Sequence, residues 1–465
     1  MAFMETGSDK KIRQTAAVVA GISSFVTPFM GSSINIALPS IGRELSIDAV
    51  LLSWVATLYL LSSGMFLVPF GRIADIYGKK RILKIGMTFY SITSLICAVA
   101  PSAIVLLFGR FLQGIGASMI FSTAVAMLTA VYPAEERGKA LGLNTAMVYT
   151  GLSLGPVLGG IMTQYWGWRS IFFANAFLGL VVVIIVVTSL KGEWAEARGE
   201  KFDLLGSIFY SLMLVAGMYG FTSIPSAKGL LLLGLGILSF FLFVLLETRA
   251  KDPIMEMSLF KQNTVFAFSN LAAFINYSAT FAVGFLMSLY LQSVRSYNPR
   301  DAGMIIVTQA VIMAFFSPLA GRLSDRFESR VVASIGMAFT VVGLALLATL
   351  GAETPIGFIY ASLALLGFGV ALFSSPNTNA VMSSVDKRQY GVASATLATM
   401  RLVGQLFSMA VASLVLRLFL GEVQITDETK FDFVFASRIS FTIFSILCFG
   451  GVFASLARGK MRKSI

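Results

Sequence analysis

The chain has 465 residues, 57% hydrophobic and only 12% charged, against roughly 25% charged in an average soluble domain. A water-soluble fold of this composition would leave large apolar patches uncovered. Its net charge of +12 sits in short loops between apolar runs, which reads as membrane orientation and not as a nucleic-acid surface. Two cysteines, both inside apolar runs, and no histidine leave no disulfide framework, no metal site and no imidazole proton shuttle.

The first 13 residues are polar and include Lys10, Lys11 and Arg13. A full-length apolar run follows, so no cleavable signal peptide is expected. Fourteen runs of spanning length are predicted, near 15–38, 48–71, 82–100, 103–131, 138–163, 168–190, 203–223, 229–247, 265–292, 301–321, 330–350, 355–383, 390–418 and 432–457. The grouping is six, two and six. It implies an all-α polytopic membrane protein with an N-terminal bundle over 1–190, a linker with two additional helices over 191–261, and a C-terminal bundle over 262–465. Polar stretches, KGEWAEARGEKFD at 191–203 and ETRAKDP at 247–253, flank the extra pair. Most Lys and Arg fall on one side if the N-terminus is cytoplasmic, and an even helix count returns the C-terminus to that side of the cell membrane.

In chain order, the first run reads FMGSSINIALP, with Met30 and Asn35. After the second run comes GRIADIYGKKR, with Gly71, Arg72, Asp75, Gly78, Lys79, Lys80 and Arg81. The glycine is expected to permit tight helix approach. Asp75 is placed to meet Arg72 or a neighbouring helix N-terminus, and the basic run favours an anionic membrane face. The fourth run carries LLFGRFLQGIGAS. An arginine inside a membrane run, Arg110, is costly and is either functional or paired; Gln113 lies one turn on, on the same face. The fifth run carries GLSLGPVLGG, in which Gly151, Gly155 and Gly159 form a smooth ridge and Pro156 favours a kink. After the tenth run the loop recurs as GRLSDRFESR from Gly321, with Asp325 aligned to Asp75 but Glu328 and Ser329 in place of Gly78 and Lys79. A charged loop at the same place in two halves marks a duplicated bundle, the construction of many secondary transporters.

These motifs, with ALP at Ala37–Pro39, WRSIFFAN from Trp168, SLYLQ at Ser288–Gln292, PNTNAVM from Pro376, and Arg401 with Gly404 and Gln405, resemble the major facilitator superfamily over almost the whole chain. The resemblance is to its fourteen-helix drug:proton antiporter branch. It implies that the loop at Gly71–Arg81 latches a gate between rocking halves, that Arg110 is tied to proton coupling, and that the helix 5 glycine–proline run marks efflux. The plainer readings are a positive-inside anchor for the loop and a packing role for Arg110. The chain departs from the family pattern in helix 1, where Met30 occupies the position of an aspartate. None of the 23 Asp and Glu lies clearly at mid-membrane. With Arg110 and Arg401 as the central charges, an anionic or neutral amphipathic substrate is favoured, provided that these side chains face the cavity.

The resemblance implies a central cavity, for which the mid-depth candidates are Met30, Asn35, Trp54, Asn144, Tyr149, Asn276, Tyr277, Gln309, Asn377, Arg401 and Gln405. Amides in such helices also serve to pin neighbours together. The expected function is a secondary exporter of small amphipathic compounds, monomeric, with protons as the coupling ion and no cofactor. The alternative is a metabolite permease or a lipid or lipid-precursor flippase on the same fold. No nucleotide loop or catalytic constellation supports an enzyme.

Overall fold

The computed structural model describes residues 7–250, 253–255, 257–386 and 389–459. Six helices come first: α1 (Gly7–Leu45), α2 (Ala49–Tyr77), α3 (Lys79–Ala98), α4 (Ala103–Val131), α5 (Ala134–Trp166) and α6 (Arg169–Thr188). Two more follow, α7 (Leu204–Thr222) and α8 (Ala227–Glu247), then the short α9 (Met257–Gln262). The second set is α10 (Thr264–Thr280) continuing through α11 (Ala282–Leu289), then α12 (Pro299–Arg326), α13 (Ser329–Leu347), α14 (Ile356–Ser383), α15 (Tyr390–Phe419) and α16 (Lys430–Leu456). Among the described residues, thirteen spans are long and apolar enough to cross a bilayer. The fourteenth predicted span, α3, has the length but opens on Lys79, Lys80, Arg81 and Lys84.

The helices start where short polar side chains can cap them. Asp48, Ser102, Asp203, Ser226, Asn263 and Asn298 each accept a hydrogen bond from a backbone N–H in the first turn of α2, α4, α7, α8, α10 and α12. The predicted ninth run is not one uninterrupted helix. It breaks at Phe281, where the Ala282 N–H donates to Ser408 Oγ at 3.0 Å, across from α15. A hydroxyl inserted into the helical ladder bends the axis. A π turn over Tyr290–Val294 then carries Gln292 towards α1, where its amide donates to Ile36 O at 2.9 Å.

The duplication read from the two loops is visible in the packing. In the first set α1 packs on α5, α2 on α4, α3 on α4, and α3 on α6. The second set repeats the scheme with α10 on α15, α12 on α14, α13 on α14, and α13 on α16. The two sets meet along α5 with α12 and α2 with α15, which are again equivalent pairs. The extra helices pack on each other, and α7 leans on α2 and α15. Outward side chains such as Phe177, Phe315 and Ile104 are largely exposed, as lipid-facing surface requires.

Call the ends of α2 and α12 and the starts of α3 and α13 the loop face. Among the described residues, every hydrogen bond and every close glycine approach between the two six-helix sets lies between the other face and mid-depth. Gly160 meets Pro299, Gly303 meets Pro156, and Ser53 donates to Ser413 at 3.0 Å. The deepest such contact is Tyr149 with Ser374, at 3.0 Å. Beyond it, towards the loop face, α5 exposes Leu143 (56%) and Thr145. Among the described residues, the halves are therefore joined at one end and parted at the loop face.

Candidate functional site

The floor of that parting is built from α5, α10, α14 and α15. One stripe of α5 carries Tyr149, Ser153, Pro156 and Gly160 and faces the second set: Ser153 donates to Ala310 O, and the Pro156 carbonyl lies against Gly303. Tyr149 thus reaches Ser374 of α14. From α15, Arg401 is half-buried and donates from Nη2 to Thr378 Oγ1 at 2.6 Å. Its guanidinium lies 5.6 Å from the centre of the Tyr277 ring, and its Nε is buried with no hydrogen-bond partner. No carboxylate pairs with Arg401 among the described residues. Gln405, one turn on, is half-buried. A cation held over an aromatic ring, with one donor unmet, is a receptor for an anionic or π-rich group.

Arg110 does not join this site. It is fully buried within the first set. Its Nε donates to Val55 O at 2.9 Å and its Nη1 to Gln113 Oε1 at 2.5 Å, while Gln113 donates on to Ser94 Oγ at 2.7 Å. Tyr59 covers the guanidinium, with its ring centre at 4.3 Å. Of the two central arginines, Arg110 is sealed within the first set, while Arg401 is half-buried beside Tyr277 and Thr378. Gln113 is a partner of Arg110, as its spacing suggested.

The other expected substrate contacts separate by helix face. Met30 is fully buried in the α1 core. Trp54 packs against Tyr219 of α7, with the rings tilted by 49° and 5.9 Å between centres, and so faces the extra pair. Asn144 is buried seven residues before Gly151, on the face of α5 turned to α1. Asn35 lies at the joined end, with its amide nitrogen beside Gly284. Asn276 and Asn377 are buried with unpartnered amide atoms, and Gln309 packs its backbone on Gly367. Gly151, Gly155 and Gly159 seat α1: a Cβ on Gly159 would stand 2.8 Å from Ser33 Cα. The ridge therefore works within one half, while Pro156 lies on the seam between halves.

Among the described residues, the loop at Gly71–Arg81 is held by residues 190–200 and not by the second half. Residues 191–203, expected to be a plain linker, fold back over it as a strap. The Glu193 carboxylate accepts from the backbone N–H groups of Lys80 and Arg81, at 2.9 Å and 3.1 Å, a carboxylate seated on the α3 N-terminus. Glu196 pairs with Lys79, Glu200 with Arg72, and Lys80 donates to Leu190 O. Of the two partners expected for Asp75, Arg72 goes to Glu200; Asp75 pairs at 2.9 Å with Lys79, the first residue of the neighbouring α3. Gly78 turns with φ +112° against Glu193. Gly71 is not a tight approach, since a Cβ there would stand 3.7 Å from Ser122; Gly114 is, with Tyr59 O at 2.4 Å. In the second copy Glu328 pairs with its neighbour Arg330, and the side chain of Asp325 lies outside the described residues. The strap was missed as a functional element. Its signal was three acids at Glu193, Glu196 and Glu200, spaced to meet the basic loop.

A family model described as Major Facilitator Superfamily matches residues 20–260 and 270–463. The riboflavin transporter RibZ of Clostridioides difficile (strain 630) is 29% identical over 447 residues, covering 94% of this chain and 95% of the relative. The multidrug resistance protein Stp of Mycobacterium tuberculosis (strain CDC 1551 / Oshkosh) is 31% identical over 410 residues, covering 87% and 76%. Among solved structures, a bacterial homologue to the human lysosomal transporter Spinster, in an inward-facing and unoccupied conformation, superposes with a TM-score of 0.71 at 14% identity, covering 98% of each chain.

Proposed function

The chain belongs to the Major Facilitator Superfamily, and we propose that it is a secondary exporter of small amphipathic compounds, working by alternating access within the fourteen-helix drug:proton antiporter branch. The observation that carries this reading is the half-buried Arg401, set between Tyr277 and Thr378 at the floor of the parting between the halves. A site at mid-depth on the seam of two repeats is where a rocking-bundle transporter exposes substrate to one side and then the other. The excess of Lys and Arg on loop-face segments supports cytoplasmic termini in the cell membrane; in that orientation the parting opens inward. Glycine–proline packing at Gly151–Gly160 and relatives such as the multidrug resistance protein Stp support export.

The charge of the site selects the substrate class. With Arg401 present and no carboxylate paired with it among the described residues, a lipophilic cation would meet repulsion, whereas an anionic or neutral amphiphile with an aromatic portion would gain a charge-assisted hydrogen bond and stacking. A metabolite permease on the same fold is the second reading, favoured by the likeness to a riboflavin transporter along nearly the whole of both chains.

Binding to the purified protein tests the substrate class. Anionic aromatic amphiphiles should bind at least about tenfold more tightly than cationic dyes of equal hydrophobicity, and Arg401→Ala should remove the difference, since a charge-assisted hydrogen bond is worth about 1.5–3 kcal/mol. Tight binding of cationic dyes with no affinity for anions would refute it.

A further inference from the structure

The expected helix 1 acid is replaced by Met30, yet two carboxylates do meet elsewhere, where the extra helix pair returns to the loop face. Asp203 caps α7, its Oδ1 accepting from the Gly206 N–H at 2.9 Å. Glu247 ends α8 and is only 3% exposed. Its Oε2 accepts from the Met255 N–H at 3.0 Å, while its Oε1 has no hydrogen-bond partner. That free oxygen is turned to Asp203: a Cβ placed on Gly206 would stand 2.4 Å from Glu247 Oε1 and 2.5 Å from Asp203 Oδ2.

Two ionised carboxylates cannot rest in this arrangement without strong repulsion, because one of them is desolvated. A single proton between them removes the repulsion and supplies the donor that Oε1 lacks. No basic side chain offsets the pair by an ion pair among the described residues. Lys261 of α9 lines the open pocket of about 310 Å³ that Glu247 also lines, with Pro253, Met257 and Ser258. Arg249 is exposed beyond the helix end, and α7 contributes no other charge. Glu200 of the strap is paired with Arg72.

The geometry points to Glu247, turned to the Asp203 carboxylate, as a proton-binding site of this transporter, holding its proton at Oε1 and exchanging it through the pocket at the loop face. Asp203 is also where the strap joins α7. Losing the proton drives the start of α7 from the end of α8 and pulls on the segment that clamps Lys79, Lys80 and Arg72. Protonation state is thereby read at the loop between α2 and α3, far from the substrate floor at Arg401.

The role in coupling rests on the export reading; the site itself does not. Infrared spectroscopy of the full chain in lipid membranes should show a protonated carboxyl at neutral pH that titrates away on the alkaline side. Glu247→Gln should remove it, and Asp203→Asn, which keeps the helix cap, should shift it. Both carboxyls ionised at neutral pH, or a band that Glu247→Gln leaves unchanged, overturns the site. Hydrogen exchange at 191–203, corrected for the intrinsic rate, should rise from neutral to alkaline pH in the wild type and not in Glu247→Gln. An equal rise in both overturns the coupling to the strap. Neither readout needs a transported compound, so a chain that passes both and exports nothing refutes the export reading alone.

Discussion

At the scale of single residues, Arg110 is fully buried and Arg401 half-buried, although both are arginines inside membrane helices. Arg110 and Arg401 looked alike as arginines inside membrane runs, yet one is sealed beneath Tyr59 and the other stands at the parting of the halves. The difference lies in partners far along the chain, Val55 O for Arg110 and Thr378 for Arg401. The two should therefore fail in different ways. Arg110→Met leaves Gln113 Oε1 without its donor, and an orphaned buried group costs about 1–3 kcal/mol. The variant should lose thermal stability in detergent and yield little folded protein. Arg401→Ala should melt within a few degrees of the wild type while losing affinity for anionic amphiphiles, as a melting curve and a binding isotherm on one preparation would show.

At the scale of helices, existence and order were legible because runs of about 20 apolar residues have few other fates. The break at Phe281 was not, because it depends on Ser408, a hydroxyl delivered by another helix. Tight seams were partly legible: the ridge at Gly151, Gly155 and Gly159 is a seam, but Gly71 is not. Gly303 on α12 is the informative glycine for function. A Cβ there would stand 2.2 Å from Pro156 O, a backbone atom of the other half, so the contact cannot be relieved by a side-chain rotation. Gly303→Ala should push the halves apart at their joined end and shift the population away from the state seen here. Spin-label distances across α5 and α12 at that end should lengthen. Gly220→Ala, whose Cβ would lie 2.4 Å from Leu233 N, should separate α7 from α8 and leave the seam between the halves intact.

For the whole molecule, duplication was legible in two charged loops and reappears as equivalent helix pairings in the two sets. The family latch between rocking halves was the expected use of the first loop. In this state the loop is instead held by the strap at Glu193, Glu196 and Glu200. A polar, charged stretch between apolar runs carries no periodicity that would reveal where it folds back. Replacing the three acids by glutamine should raise hydrogen exchange over 79–81 and 191–203 and speed the change between states, with little effect on melting temperature, since half-exposed ion pairs contribute at most about 1 kcal/mol each. Unchanged exchange in those segments would show that the strap does not hold the loop in the membrane.

The central claim is export of an amphiphile through the Arg401 site. Its most direct test is transport in proteoliposomes under an imposed pH gradient, with an internal pH dye and a panel of anionic, neutral and cationic amphiphiles. The expected result is movement of anionic or neutral compounds accompanied by proton flux, abolished by Arg401→Ala and uncoupled from protons by Glu247→Gln. Transport of cations alone, undiminished by Arg401→Ala, would contradict it.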